Sequence, residues 1–182
     1  MRFIENRRIA LIVLVVCILC SIVLLGGGGL SAARKDAEVL FLSGEYATGV
    51  RYSMDAYLDN SSASARMLAE TARLHLDDEA TIDAVFTAAD ALEESDDINA
   101  RYPLYKDLSA SVESLYTQLI AAGAEEETDV LISYGDFKGA ADRMERDPYH
   151  ELAQKFNKDL SSFPANLLGS LFGVEKLDTY GW

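Results

Sequence analysis

The stretch that most constrains this chain is Ile9 to Leu25, IALIVLVVCILCSIVLL, seventeen residues without a charge. Gly26-Gly27-Gly28-Gly29-Leu30 follows, and the next charged residue is Arg34. At 1.5 Å rise per residue, a helix over Ile9–Leu25 covers about 26 Å and one reaching Leu30 about 33 Å, against a hydrocarbon core of roughly 30 Å. Thirteen of the seventeen are Ile, Leu or Val, and together they favour insertion by about 5 kcal/mol. The expectation is an N-terminal transmembrane helix over 9–30 with the lipid bilayer as its partner. Arg2, Arg7 and Arg8 precede it against Glu5 alone, whereas Arg34 and Lys35 are met at once by Asp36 and Glu38. The positive-inside bias then puts a short arm, residues 1–8, in the cytoplasm and the bulk of the chain outside. The alternative is a secreted protein with a cleaved signal peptide ending at Ser31-Ala32-Ala33, for which the apolar run is longer than usual. Cys17 and Cys20, the only cysteines, lie inside the run and read as small hydrophobes rather than as a redox or metal pair.

All but one of the 30 acidic residues, but only 11 of the 16 basic ones, lie after residue 35. Such a surface repels nucleic acid and anionic headgroups, so a nucleic-acid role is disfavoured and a partner is expected to be basic or cation-bridged. About 147 residues suffice to bury a core without disulfides or metals.

Beyond residue 35 the apolar spacing is helical throughout, and nothing alternates as a strand does. Val39, Leu42, Tyr46, Val50, Met54 and Tyr57 predict a first helix over 34–60, with a break or cap at Asp59-Asn60-Ser61-Ser62. Ala65, Leu68, Ala72 and Leu76 form a second stripe, stopped by Asp77-Asp78-Glu79, and a third helix runs from Thr81 to Ser95. A fourth carries Leu104, Leu108, Val112, Leu115 and Leu119, with Pro103 in its first turn, where proline is tolerated. Glu125-Glu126-Glu127-Thr128-Asp129 reads as the acidic start of a last long element, which Pro148 breaks and Phe163-Pro164 ends. The fold class is therefore all-α: a transmembrane helix followed by an antiparallel bundle of four or five helices. The domain boundaries are a 1–8 arm, the 9–30 span, a 31–35 linker, a 36–164 bundle and a 165–182 apolar strip and tail.

No catalytic constellation emerges. His75 and His150 are the only histidines, and Asp147-Pro148-Tyr149-His150 is a weak echo of the Glu-x-x-His pairs of di-metal bundles. There is no zincin, phosphate-loop, dinucleotide or nucleophile-elbow motif. The expectation is a non-enzyme without catalytic, cofactor or metal residues and without a bound cofactor.

Tyr149-His150, seven residues before Phe156-Asn157, leads into Leu160-Ser161-Ser162-Phe163-Pro164-Ala165-Asn166-Leu167-Leu168-Gly169-Ser170-Leu171-Phe172-Gly173-Val174. This segment resembles the C-terminal signature of the LemA family, a repeated aromatic–Asn pair ahead of Phe-Pro-x-Asn and Leu-Phe-Gly. Tyr102-Pro103-Leu104-Tyr105-Lys106-Asp107-Leu108 resembles that family's Tyr-Pro stretch less closely. His150 in place of the first Asn, and Pro148 within the helix, mark a divergent member. The resemblance implies a membrane-anchored helical bundle at the bacterial envelope, here the cytoplasmic membrane, with no catalytic residues to carry over.

Leu167, Leu168, Leu171 and Phe172 form an uncharged apolar strip beyond Pro164. It either folds back as a cap on the bundle or serves as the partner-binding site, since exposed apolar patches usually have a use. The function expected is a structural or protein-interaction module with an envelope protein as partner; the alternative is a ligand-sensing bundle that signals through a partner.

Overall fold

Gly44 decides how the N-terminal third is arranged. In the computed structural model, which describes residues 7–47 and 50–180 apart from the side chains of 7–9, 18–27, 45–47 and 50–51, it has φ +56° and separates α1 (Arg7–Ser43) from a hairpin. A Cβ there would lie 1.7 Å from the Tyr52 carbonyl oxygen, so only glycine fits. The hairpin pairs β1 (Glu45–Ala47) with β2 (Val50–Tyr52) in antiparallel register, Glu45 opposite Tyr52. Five further helices that pack or extend the fold are α2 (Met54–Ala72), α3 (Glu79–Glu93), α4 (Ile98–Ala121), α5 (Thr128–Glu145) and α6 (Tyr149–Ser161), and α7 (Ala165–Phe172) follows them.

Two expectations for the N-terminal region are corrected. Among the described residues no helix is long and apolar enough to cross a membrane. α1 is 37 residues long and begins at Arg7. The same helix continues through Arg34, Lys35 and Asp36 to Ser43. The transmembrane helix over 9–30, and the single-pass cytoplasmic-membrane localisation drawn from it, are overturned. Residues 1–6 of the expected arm, and the side chain of Cys20, lie outside the described residues. The expected 34–60 helix is likewise interrupted at Gly44 and by the hairpin. Its apolar face is misplaced before Gly44, where Val39 and Leu42 are exposed and Ala37 and Phe41 are buried, whereas Met54 and Tyr57 are buried as expected; the side chains of Tyr46 and Val50 lie outside the described ones.

The chain divides into two compact units, Met1–Ala37 with Leu152–Leu177, and Glu38–Glu151 with Asp178–Trp182. The larger contains a four-helix bundle in which α2 packs on α5, α3 and α4, and α3 on α4. Ion pairs fix the directions. Arg73 reaches Asp83 at 3.7 Å while Arg66 reaches Glu93 at 3.1 Å, so α2 and α3 are antiparallel. Arg101 near the start of α4 binds Asp55 and Asp59 near the start of α2, so those two run parallel.

Local chemistry accounts for the boundaries. Ser53 caps α2 by accepting from the Ala56 N–H at 3.1 Å, Asp78 caps α3 through Thr81, and Asp97 caps α4 through Asn99. The break expected at Asp59–Ser62 does not occur, because the small side chains there are satisfied inside the bundle. The Ser61 hydroxyl donates to Tyr57 O at 2.9 Å and the Ser62 hydroxyl to Ala89 O on α3 at 3.4 Å. With its cap at Asp97, α4 begins five residues before Pro103, which therefore lies beyond the first turn. Pro148 does separate α5 from α6.

In the smaller unit α7 lies tight on α6: a Cβ on Gly169 would meet Leu160 Cδ1 at 2.5 Å. Asn157, of the Phe156-Asn157 pair, clamps the tail backbone. It donates to Leu177 O at 2.7 Å and accepts from Leu177 N–H at 2.8 Å. Asn166, expected to satisfy backbone groups at the proline break, accepts from the Leu167 N–H at 2.8 Å.

Candidate functional site

The expected strip divides when α7 forms. Leu168 is 6 % exposed and belongs to the packing around Gly169, whereas Leu167, Leu171 and Phe172 are 61 %, 67 % and 48 % exposed. A helix turns about 100° per residue, so consecutive positions of an apolar run cannot all face one way. Three of the four residues thus remain exposed, as Phe163 does.

The four-helix bundle carries a second apolar opening, which periodicity did not reveal. The buried stripe of α5 is Val130, Ser133, Phe137, Ala140 and Met144. Serine at its second position is too small to fill the layer. A groove of about 540 Å³ opens there between α2, α3 and α5, lined by Met67, Phe86, Ile132 and Ser133 among others. Met67 and Ile132 are more than half exposed, while Ser133 is 1 % exposed. The Ser133 hydroxyl has no hydrogen-bond partner among the described residues. That is unusual within this fold, where Ser61, Thr71, Thr87, Ser111, Thr117 and Ser161 each donate to the carbonyl four residues back. A buried hydroxyl without a partner costs about 1–3 kcal/mol.

The rim of this groove is acidic. Arg66 is held by Asp90 and Glu93, and Arg73 lies among Glu70, Glu79 and Asp83, with its guanidinium 4.9 Å from the Phe86 ring centroid. With Asp129 in the lining, six carboxylates surround two guanidinium groups.

A third feature lies at the other end of the bundle, where α4, α5, the start of α6 and the C-terminal tail meet. Tyr102, Tyr105, Met144, Glu145, His150 and Tyr180 line a cavity of about 340 Å³. The Tyr102 and Tyr180 rings lie 4.8 Å apart at 49°, and the His150 and Tyr180 rings 6.3 Å apart at 61°. Tyr180 has φ +53°, a left-handed conformation uncommon outside glycine. The tail is held there by three hydrogen bonds: Asp178 N–H to Asn99 Oδ1 at 2.8 Å, Tyr180 N–H to Asp178 Oδ1 at 2.7 Å, and Tyr149 Oη–H to Asp178 O at 3.0 Å. His150 Nε2–H donates to Met144 O at 2.6 Å, which orients the imidazole. Loss of surrounding water pushes the Tyr105 hydroxyl up to about 12 and raises that of Tyr180 further, so both rings are neutral phenols at ordinary pH.

No group of three or more His, Cys, Asp or Glu residues able to hold a metal occurs among the described residues. His75 is exposed and His150 is buried against Met144 and Tyr180. Comparison of the chain with family models, curated proteins and solved structures finds no match in any of the three.

The sequence contained a partial signal for the aromatic cavity: Tyr102 and Tyr105 are three apart on α4, and Tyr149-His150 starts α6. Nothing in it placed Tyr180 beside them, because that contact spans 78 residues of chain. The groove was hidden differently, since Ser133 reads as an ordinary surface serine until its neighbours show that it faces inward.

Proposed function

We propose that this chain is a non-catalytic interaction module whose acidic bundle docks a partner segment that is apolar on one face and carries Lys or Arg beside it. The observation that carries this is the groove between α2, α3 and α5: an apolar lining with two large side chains open to solvent, inside a rim where carboxylates outnumber cations. Apolar burial would supply the affinity, and the acidic rim would select a basic partner and speed its approach. The resemblance of 149–174 to the LemA family supports the same class, since it implies a helical bundle with no catalytic residues. The exposed face Leu167, Leu171 and Phe172 favours a second reading, in which α7 makes the contact.

One binding series separates the two. A labelled amphipathic helical peptide of Leu and Lys should bind the full chain, more weakly as salt rises, and its Leu and Gln counterpart should bind at least about tenfold less tightly. Met67→Ser with Ile132→Ser should weaken the Lys peptide by about tenfold, and Leu171→Ser with Phe172→Ser should leave it unchanged. The reverse pattern moves the contact to α7. Equal affinity for the two peptides rejects a basic partner.

A further inference from the structure

We propose that the cavity lined by Tyr102, Tyr105, His150 and Tyr180, with Glu145 at its edge, is a binding site for an alkylated ammonium cation. This inference is independent of the α2–α3–α5 groove and concerns a different end of the bundle.

Three properties of the cavity select that chemistry. The first is its wall. The quadrupole of an aromatic ring presents negative potential on its face, and a cation within about 6 Å of a ring centroid is attracted more strongly as water is removed. Tyr180 and His150 are buried and Tyr102 and Tyr105 half-buried, so the rings converge where water is scarce. Tyr102 already accepts a cation: Lys106 Nζ lies 5.7 Å from its centroid.

The second property is the scarcity of negative charge in the wall, where Glu145 is the one acidic side chain among the described lining residues. A primary ammonium brings three donors, each of which needs an acceptor once buried. Here the Met144 carbonyl takes the His150 N–H and the Tyr180 hydroxyl points to Ile98 O at 3.4 Å. A quaternary or heavily methylated ammonium has no such donors to satisfy, so burying it leaves none unpaired. The third is where that one charge sits. Glu145 is exposed at the edge and supplies a counter-ion without being buried itself. A cavity of about 340 Å³ is large enough for such a headgroup.

The tail makes the site conditional on the folded C-terminus. Tyr180 reaches the cavity only because Asp178 is bound by Asn99 and Tyr149, and holds a left-handed backbone there. Strain of this kind persists only where the surroundings enforce it, and it concentrates at ligand clamps.

The probes are tetramethylammonium, choline and 3,3-dimethylbutanol, the last being choline with carbon in place of the charged nitrogen. Titration calorimetry on the full chain should show both cations binding and the neutral alcohol at least about tenfold weaker. Tyr102→Leu should reduce choline affinity about tenfold, and Glu145→Gln, at an exposed position with no structural duty, by about threefold. Lys106→Gln should improve it, since a competing cation leaves Tyr102. A trimethyl-lysine peptide in the same titration distinguishes the source: tighter binding than choline assigns the headgroup to a protein side chain, weaker binding to a small molecule. Equal affinity for choline and its neutral isostere overturns the proposal. So does the absence of binding by all the cations, or unchanged choline affinity in both Tyr102→Leu and Glu145→Gln.

Discussion

Replacing Arg101 with Met tests the most buried charge in the bundle. The Arg101 side chain is 7 % exposed, and it pairs with Asp55, 18 % exposed, and with Asp59 at 3.2 Å. Methionine keeps most of the aliphatic volume, so the substitution removes the charge and leaves little cavity. What remains is Asp55, mostly shielded from water and without its guanidinium. Breaking a buried pair costs about 3–5 kcal/mol, and because Asp55 retains some water the lower end applies, about 3 kcal/mol. For a chain of this size that corresponds to a fall in Tm of about 6–12 °C. Arg66→Met is the internal comparison, because its partners Asp90 and Glu93 are 57 % and 45 % exposed. Solvent-exposed pairs are worth under about 1 kcal/mol, so its Tm should move by no more than about 4 °C. Thermal denaturation followed by circular dichroism, with urea titration to confirm an unchanged m-value, reads both. Adding Asp55→Asn to Arg101→Met should recover part of the loss, since the carboxylate that faced Arg101 is then neutral. Equal shifts for Arg101→Met and Arg66→Met would refute the argument that burial decides the difference.

Three further outcomes follow from particular contacts. Ser133→Ala should leave the chain equally stable or stabilise it by about 1 kcal/mol in urea unfolding, because it removes a buried hydroxyl that has no partner; a loss above about 1 kcal/mol would show that the hydroxyl is satisfied. Gly44→Ala should cost at least about 2 kcal/mol, since it adds a Cβ at φ +56° that meets the Tyr52 carbonyl. Tyr105 and Tyr134 are pushed up to about 12, both chiefly by loss of water, and Tyr134 also by its hydrogen bond to Glu113 at 2.9 Å. Their folded values exceed the unfolded value of 10.0. The stability they contribute is therefore complete below pH 10 and is lost as pH rises from about 10 toward 12. Phenolate absorbance should show these two groups ionising late, and Tyr134→Phe should make the alkaline loss of stability less steep.

What the sequence determined by itself was the class of the fold and most of its interior. Ile82, Val85, Ala89 and Leu92 on α3, and Leu108, Val112, Leu115 and Leu119 on α4, recur every three or four residues, and all are buried. Such a stripe is a local property, fixed by 3.6 residues per turn, so it can be read without knowing what it packs against. Pro148 and Pro164 were equally legible, because a missing backbone donor acts within one turn. Reading Ile9–Leu30 as a membrane span is overturned, because among the described residues no helix is long and apolar enough to cross a membrane. The hairpin after Gly44 was hidden because helical spacing over Val39–Tyr57 continues by coincidence across a residue whose conformation is set by the nearby Tyr52 carbonyl. Tertiary structure alone decided the two cavities. Ser133 faces a groove because α2 and α3 lie beside α5, and Tyr180 joins Tyr102 because Asn99 and Tyr149 hold Asp178. Contacts between residues tens of positions apart depend on how whole elements pack, and no local spacing in the chain encodes them.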